Sequence, residues 1–228
     1  LVYGAIFYVL ARCRVIDTGK MGMPVGIFMI YGLLLYQTFV DTVLLSVNSI
    51  KKSGTLLNQL KLPPEAMILA ALYRSLFNLS LRVPVMLLFS LLAIPAAQRI
   101  GVDSFSLPGF LKFLLMLPSL LLLGMSIGVF LAPFNVIYAD VNRLVNMVLL
   151  PLRYLSPVVY MLPKSELFKA IDLINPITLI LDSLRLLAVS NYAHHWPQWG
   201  LRIAVSALIL LVGWMIYHVS IPVLTERT

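Results

Sequence analysis

An all-α integral membrane protein with about six spanning helices is the fold class this sequence predicts. Three observations lead there. The chain is 61% hydrophobic and 11% charged, with a mean hydropathy of +0.96, whereas a water-soluble domain carries about 25% charged residues. Its apolar residues form long continuous runs, unlike the alternating ~10-residue segments of a spanning β-barrel. At roughly 20 apolar residues per crossing, a chain of 228 residues holds about six crossings with short connections.

The opening run, LVYGAIFYVLA, is apolar from the start. Leu1 stands where Met would begin a chain, so the true N-terminus and part of the first span are expected to precede it. A signal peptide would need a basic start and a small-residue cleavage site, and neither is present. Residues 12–23, RCRVIDTGKMGM, form the first connection, where Gly19, Gly22 and Pro24 mark a turn. Apolar runs at about 24–47, 66–97, 108–133, 144–162 and 199–223 predict the remaining spans. They are joined by 48–65, 98–107, 134–143 and a long half-polar stretch, 163–198.

Two connections carry chemistry of their own. PFNVIYADVNR, at 133–143, gathers Tyr138, Asp140, Asn142 and Arg143 between two apolar runs. In IKKSGTLLNQLKL, at 50–62, Leu56, Leu57 and Leu60 form an apolar ridge flanked by Lys51, Lys52 and Lys61. Such a short amphipathic helix suits a groove on a partner protein. It suits anionic lipid headgroups equally well, and the residues alone leave both readings open.

The 163–198 stretch reads as two helices. Ser165 can cap the first, SELFKAIDLI; Asn175 and Pro176 then supply a favoured N-cap and a favoured first helical residue for the second. PITLILDSLRLLAVS reaches only about 22 Å, too short for a ~30 Å hydrocarbon core. Its Asp182 and Arg185, three apart, can pair on one face. A hairpin over 163–190 that dips into the membrane and returns is the expectation; two helices lying flat at the interface are the alternative. Tyr192, Trp196 and Trp199 are expected to form an interfacial aromatic belt.

Charges inside apolar runs are costly and should face protein or a wet cavity. Asp41, Arg74 and Arg82 are of this kind, with Asn78 midway between the arginines. Either Asp41 pairs with an arginine to lock two spans, or the arginines meet a phosphate or acidic sugar. Arg153, Tyr154, Ser156 and Tyr160 give the fifth span a polar, aromatic stripe that suits either sugar stacking or plain packing. Pro157 removes a helix hydrogen bond and is expected to kink that span as a pivot. Gly124 and Gly128, a GxxxG pair, are expected to let two helices approach closely.

Several functions are disfavoured. One cysteine, Cys13, excludes an intrachain disulfide and gives no metal cluster. Adjacent His194 and His195 point apart on a helix and have no acidic partner nearby in sequence, so no metal site is assigned. The +8 net charge is spread over loops and helix ends, a poor pattern for nucleic acid. No Walker A pattern occurs: the one Gly-Lys pair, Gly19-Lys20, has Arg14 where the first glycine should stand. ATP and Mg, if used, belong to another polypeptide. The Lys/Arg distribution does not orient the chain, because the 48–65, 134–143 and C-terminal side holds fewer basic residues than the other.

Tyr31-Gly-Leu-Leu-Leu-Tyr36, Tyr138-Ala139-Asp140-Val141, Ser156-Pro157-Val158-Val159-Tyr160, Pro163, Asn175-Pro176 and Arg185 occur in that order, with the Asn48-to-Pro63 loop in the front half. In these residues the chain resembles the membrane-spanning permeases of bacterial ABC transporters that export polysaccharides, the O-antigen, capsule and teichoic-acid exporters. Ala139 departs from the pattern, standing where the family usually has a basic residue; Arg143 could supply the missing charge. The resemblance implies a homodimer of six-span subunits in the bacterial inner membrane, each joined to a cytoplasmic ATPase subunit. It implies that 48–65 and 134–143 face the cytoplasm and that 163–190 forms a gate on the outer side, with Pro157, Asn175, Pro176, Asp182 and Arg185 as gate residues. An amphipathic interface helix would precede the first span. The implied cargo is a lipid-linked polysaccharide moving past Arg74, Arg82, Arg153, Tyr154, Ser156 and Tyr160. The alternatives are a drug or lipid exporter of the same broad class and, from another class, a membrane-embedded enzyme. An enzyme would need clustered intramembrane acids or histidines, whereas Asp41 stands alone. A secondary transporter would show inverted repeats, and none is visible.

Overall fold

The computed structural model describes residues 23–51, 65–101, 105–138, 140–156, 158, 175–190 and 196–225. The opening run, most of the 50–62 segment and the first half of the expected hairpin lie outside that set. Among the described residues all regular structure is helical: α1 (Val25–Val47), α2 (Glu65–Leu92), α3 (Ile94–Ile100), α4 (Leu107–Met116), α5 (Pro118–Ile137), α6 (Val141–Leu155), α7 (Pro176–Ser190) and α8 (Trp196–Thr225). Among the described residues, four stretches are long and apolar enough to cross a bilayer: Gly26–Val47, Ala66–Leu92, Leu107–Ile137 and Pro197–Ser220.

Local chemistry explains the boundaries. Gly101 ends α3 in the left-handed region, φ 73°, where a residue without Cβ carries no steric cost. Ser106 caps α4 by accepting from the Gly109 N–H, and Pro108 sits in the first turn, where its missing donor is no loss. Leu117 keeps helical angles between α4 and α5, so the two run as one apolar stretch. The connection expected at 134–143 is tighter than predicted: α5 continues to Ile137 and α6 begins at Val141.

Of the fifth span expected over 144–162, α6 covers the part up to Leu155, and Ser156 turns extended with ψ 143°. A proline crowds the residue before it out of helical angles, which accounts for this end of α6. Pro157 and Tyr160 themselves lie outside the described residues. The proline held within this helix is Pro151.

In lipid the drive to bury apolar surface between helices is weak, and close packing must replace it. α5 is the hub, packed between α1 and α8, while α2 lies against α1. Small residues set these contacts. A Cβ at Gly124 would come within 3 Å of Thr42, one at Gly128 within 3 Å of Ser46 and of the Val43 carbonyl, and one at Gly213 within 3 Å of the Phe130 backbone. The predicted GxxxG pair thus permits the approach of α1 and α5. α7 lies against α4 and α1, with Ile180, Leu181 and Leu184 fully buried beside Tyr31, Leu35 and Phe113. Trp199, expected in the interfacial belt, packs into this core. α2 and α8 turn apolar side chains outward, among them Phe77, Leu88, Leu208 and Met215, as lipid-facing helices do.

Candidate functional site

Polar side chains of the helical bundle gather at three levels. At one end, three asparagines join the last turns of α1 and α5 to the first turn of α6. Asn135, fully buried in α5, donates to the Val47 carbonyl at 3.0 Å and to Asn48 Oδ1 at 3.2 Å. Asn48 donates in turn to the Leu44 carbonyl at 2.8 Å and to Asn142 Oδ1 at 3.0 Å. The last carbonyls of a helix have no partner within it, and here carboxamides from this cluster supply them. The three helix ends are thereby tied together at the point where α1 leads into the 50–62 segment.

Deeper along α1, Arg82 of α2 pairs with Asp41 and donates to Thr38 Oγ1 at 2.9 Å, while Gln37 donates to the other Asp41 oxygen at 2.9 Å. Of the alternatives left open by the sequence, Asp41 takes the pairing with Arg82; Arg74 is exposed and takes no part in it. Both charges are partly buried, so the pair fixes α2 against α1 where an isolated charge would be costly.

At the opposite end, Arg185 of α7 is the largest fully buried side chain among the described residues. It donates to the Val158 carbonyl at 3.0 Å, pairs with Asp182 at 3.2 Å, and its guanidinium lies 4.2 Å from the centre of the Phe28 ring. Gly32 makes room: any Cβ there would collide with both Arg185 and the Val158 carbonyl. Nearby, Asn175 caps α7 by accepting from Ile177 N–H at 3.1 Å, the restart predicted from the Asn-Pro pair, and donates to Ser156 Oγ at 2.8 Å. Arg202 of α8 donates to the Asn175 carbonyl at 2.6 Å. α1, the exit of α6, α7 and α8 therefore meet in one clasp.

The expected docking residues separate. Lys51, Tyr138, Asp140 and Arg143 are exposed, and the Arg143–Asp140 pair at 3.9 Å is too open to contribute much. Asn142 turns inward to Asn48. Lys52, Leu56, Leu57, Leu60 and Lys61 lie outside the described residues. Of the expected lining residues, Tyr154 is exposed, Arg153 half-buried, and Ser156 fully buried in the clasp.

Sequence reading missed Asn48, Asn135 and Asn146 as structural partners because uncharged carboxamides do not interrupt a hydropathy pattern as charges do. It missed Gly32 because a lone glycine in an apolar run carries no periodic signal.

The sequence profile of the ABC-2 type transporter family matches residues 1–188. The chain belongs to that family. ABC-2 permeases are transporter membrane components that work with ATPase subunits, generally as dimers. No curated protein matches the chain. In this ABC-2 permease the matched region takes in α1 to α6 and nearly all of α7, so all three polar clusters draw most of their residues from it.

Proposed function

We propose that this chain is the permease half of an ATP-driven exporter that moves a lipid-linked polysaccharide across the bacterial inner membrane, through a channel between two copies. The observation that carries the reading is a polar seam on α6. Asn142, Asn146, Arg153 and Ser156 follow helical spacing along one side of that helix over about 21 Å, beside α1, whose Tyr36 hydroxyl donates to the Leu149 carbonyl. Asn142 and Ser156 also serve the asparagine cluster and the clasp, but Asn146 keeps its side-chain oxygen and Arg153 its charge, and an unpaired polar group in lipid is costly. A cargo rich in hydroxyls needs such a seam. The other side of α6 exposes Met147, Leu150 and Tyr154, a surface suited to the second copy and to stacking against sugar rings.

In this reading two cytoplasmic ATPase subunits hold ATP and Mg and grip the 48–65 and 134–143 connections. The asparagine cluster passes their motion from the foot of α1 to α6. The 163–190 hairpin, clasped by Arg185 and Asn175, opens on the outer side.

The test is reconstitution with the ATPase subunit in proteoliposomes and measurement of ATP-dependent glycolipid translocation. Transport should require the ATPase, and Tyr154→Ala should slow it. Asp at both Leu57 and Leu60 should abolish co-purification of the two subunits. ATP hydrolysis by the purified permease alone, or vigorous drug efflux with no glycan movement, would overturn the proposal.

A further inference from the structure

A notch of about 310 Å³ opens between α1, α2 and α6, near the lower limit of the range of about 300–1,000 Å³ typical of small-molecule sites. Beside Leu44 and Leu45 its walls are polar: Asp41 and Asn48 from α1, Asn78 from α2, Asn142 and Asn146 from α6. The hydrogen bonding of this set is incomplete. Asn48 is saturated by Leu44, Asn142 and Asn135, and both Asp41 oxygens are taken by Gln37 and Arg82. Asn142 spends its side-chain oxygen on Asn48 but keeps its amide donors; Asn146 donates to the Asn142 carbonyl and keeps its side-chain oxygen. Asn78 forms no hydrogen bond among the described residues. The notch therefore presents neutral donors and neutral acceptors side by side, around a carboxylate whose charge is already matched.

A sugar hydroxyl both donates and accepts, so it satisfies such a wall; an acyl chain satisfies none of it. The second observation lies one turn away. Arg74 shares a row of α2 with Asn78, residues four apart having Cβ atoms roughly 6 Å from one another. It is exposed and has no ion pair among the described residues, in contrast to Arg82 on the other side of Asn78. An arginine on a lipid-facing helix calls for an anion, and its planar fork matches phosphate bidentately. Exposed Tyr73, Phe77 and Leu81 continue the same helix as an apolar track.

We propose that the notch and Arg74 form a headgroup site for a phosphate-linked sugar on a lipid carrier. Its ring hydroxyls meet Asn78, Asn142 and Asn146, its phosphate meets Arg74, and its tail runs along the outer face of α2. This rests on the glycan-export reading and assigns that reading a loading site at the Asn142 end of the polar seam on α6.

Native mass spectrometry of the purified full chain with three lipid probes tests it. Polyprenyl phosphoglucose carries phosphate and ring, phosphatidylglycerol phosphate without ring, and diglucosyl diacylglycerol ring without phosphate. The first should bind at least tenfold more tightly than either of the others. Arg74→Ala should weaken it about tenfold and leave the uncharged glycolipid unchanged, and Arg74→Lys should recover part of the loss. Asn78→Ala removes no hydrogen bond that the fold uses, so it tests the notch without unfolding it; it should erase most of the preference for phosphoglucose over phosphatidylglycerol. Equal binding of those two probes in the wild type would mean an ordinary anionic-lipid contact and overturn the proposal, as would indifference to both Arg74→Ala and Asn78→Ala. The two readings fail separately. If the probes rank as stated but the reconstituted complex moves no glycan, export falls and the site stands; if glycan moves and neither variant changes binding or rate, the site falls and export stands.

Discussion

Gly32→Ala probes the clasp at its tightest point. The new methyl would lie closer than 3 Å to the Arg185 guanidinium and to the Val158 carbonyl oxygen. The guanidinium can swing, but the carbonyl is backbone, and the bond between them, 3.0 Å long, cannot survive the intrusion. Losing a hydrogen bond from a charged donor costs about 1.5–3 kcal/mol, and overpacking a tight contact adds about 1–3 kcal/mol. Alanine recovers roughly 0.5–1 kcal/mol of helix propensity over glycine. The net loss is about 1.5–5.5 kcal/mol, which at roughly 2–4 °C per kcal/mol for a chain of this size lowers the unfolding midpoint by roughly 3–22 °C. Tryptophan fluorescence during heating in detergent reads it. Gly200→Ala is the control, because a Cβ there meets nothing within 4 Å. In an Arg185→Met background the cost of Gly32→Ala should shrink, since one of its two collisions is gone. If Gly32→Ala stays within about 0.5 kcal/mol of the control, or if the two substitutions are strictly additive within that margin, the clasp does not hold α1 to α7 as described.

Three further outcomes follow from the same packing. Gly128→Ala should destabilise more than Gly124→Ala, because the Val43 backbone carbonyl blocks the former more closely than the Phe39 carbonyl blocks the latter; thermal midpoints in detergent rank them. Arg82→Ala should cost about 1–3 kcal/mol by leaving the partly buried Asp41 with Gln37 alone, and Asp41→Asn in that background should recover part of it, as read by unfolding midpoint and yield. Asn135→Leu leaves the Val47 carbonyl without its partner, a loss of about 1–3 kcal/mol. In the reconstituted exporter it should lower transport per ATP hydrolysed more than it lowers hydrolysis, and an equal fall in both would count against the asparagine cluster as a mechanical link.

Composition and run length were enough to establish an all-helical multi-pass membrane protein, because every backbone polar group in lipid must be satisfied within its own segment. Local rules also located the restart at Asn175-Pro176, the Asp182–Arg185 pair and the close approach at Gly124 and Gly128, since each depends on neighbours three or four residues away or on one helix face. The tertiary structure decided everything that depends on which helices are adjacent. Asp41 could have paired with Arg74 or Arg82, and the packing of α1 on α2 selected Arg82. Hydropathy carried α6 on to 162, but the backbone left the helix at Ser156, and the exit it took placed the Val158 carbonyl under Arg185. Gly32 and Asn135 had no role legible in the sequence for one reason: a missing methyl or an uncharged amide acquires meaning only from the group brought opposite it, and that neighbour lies on another segment.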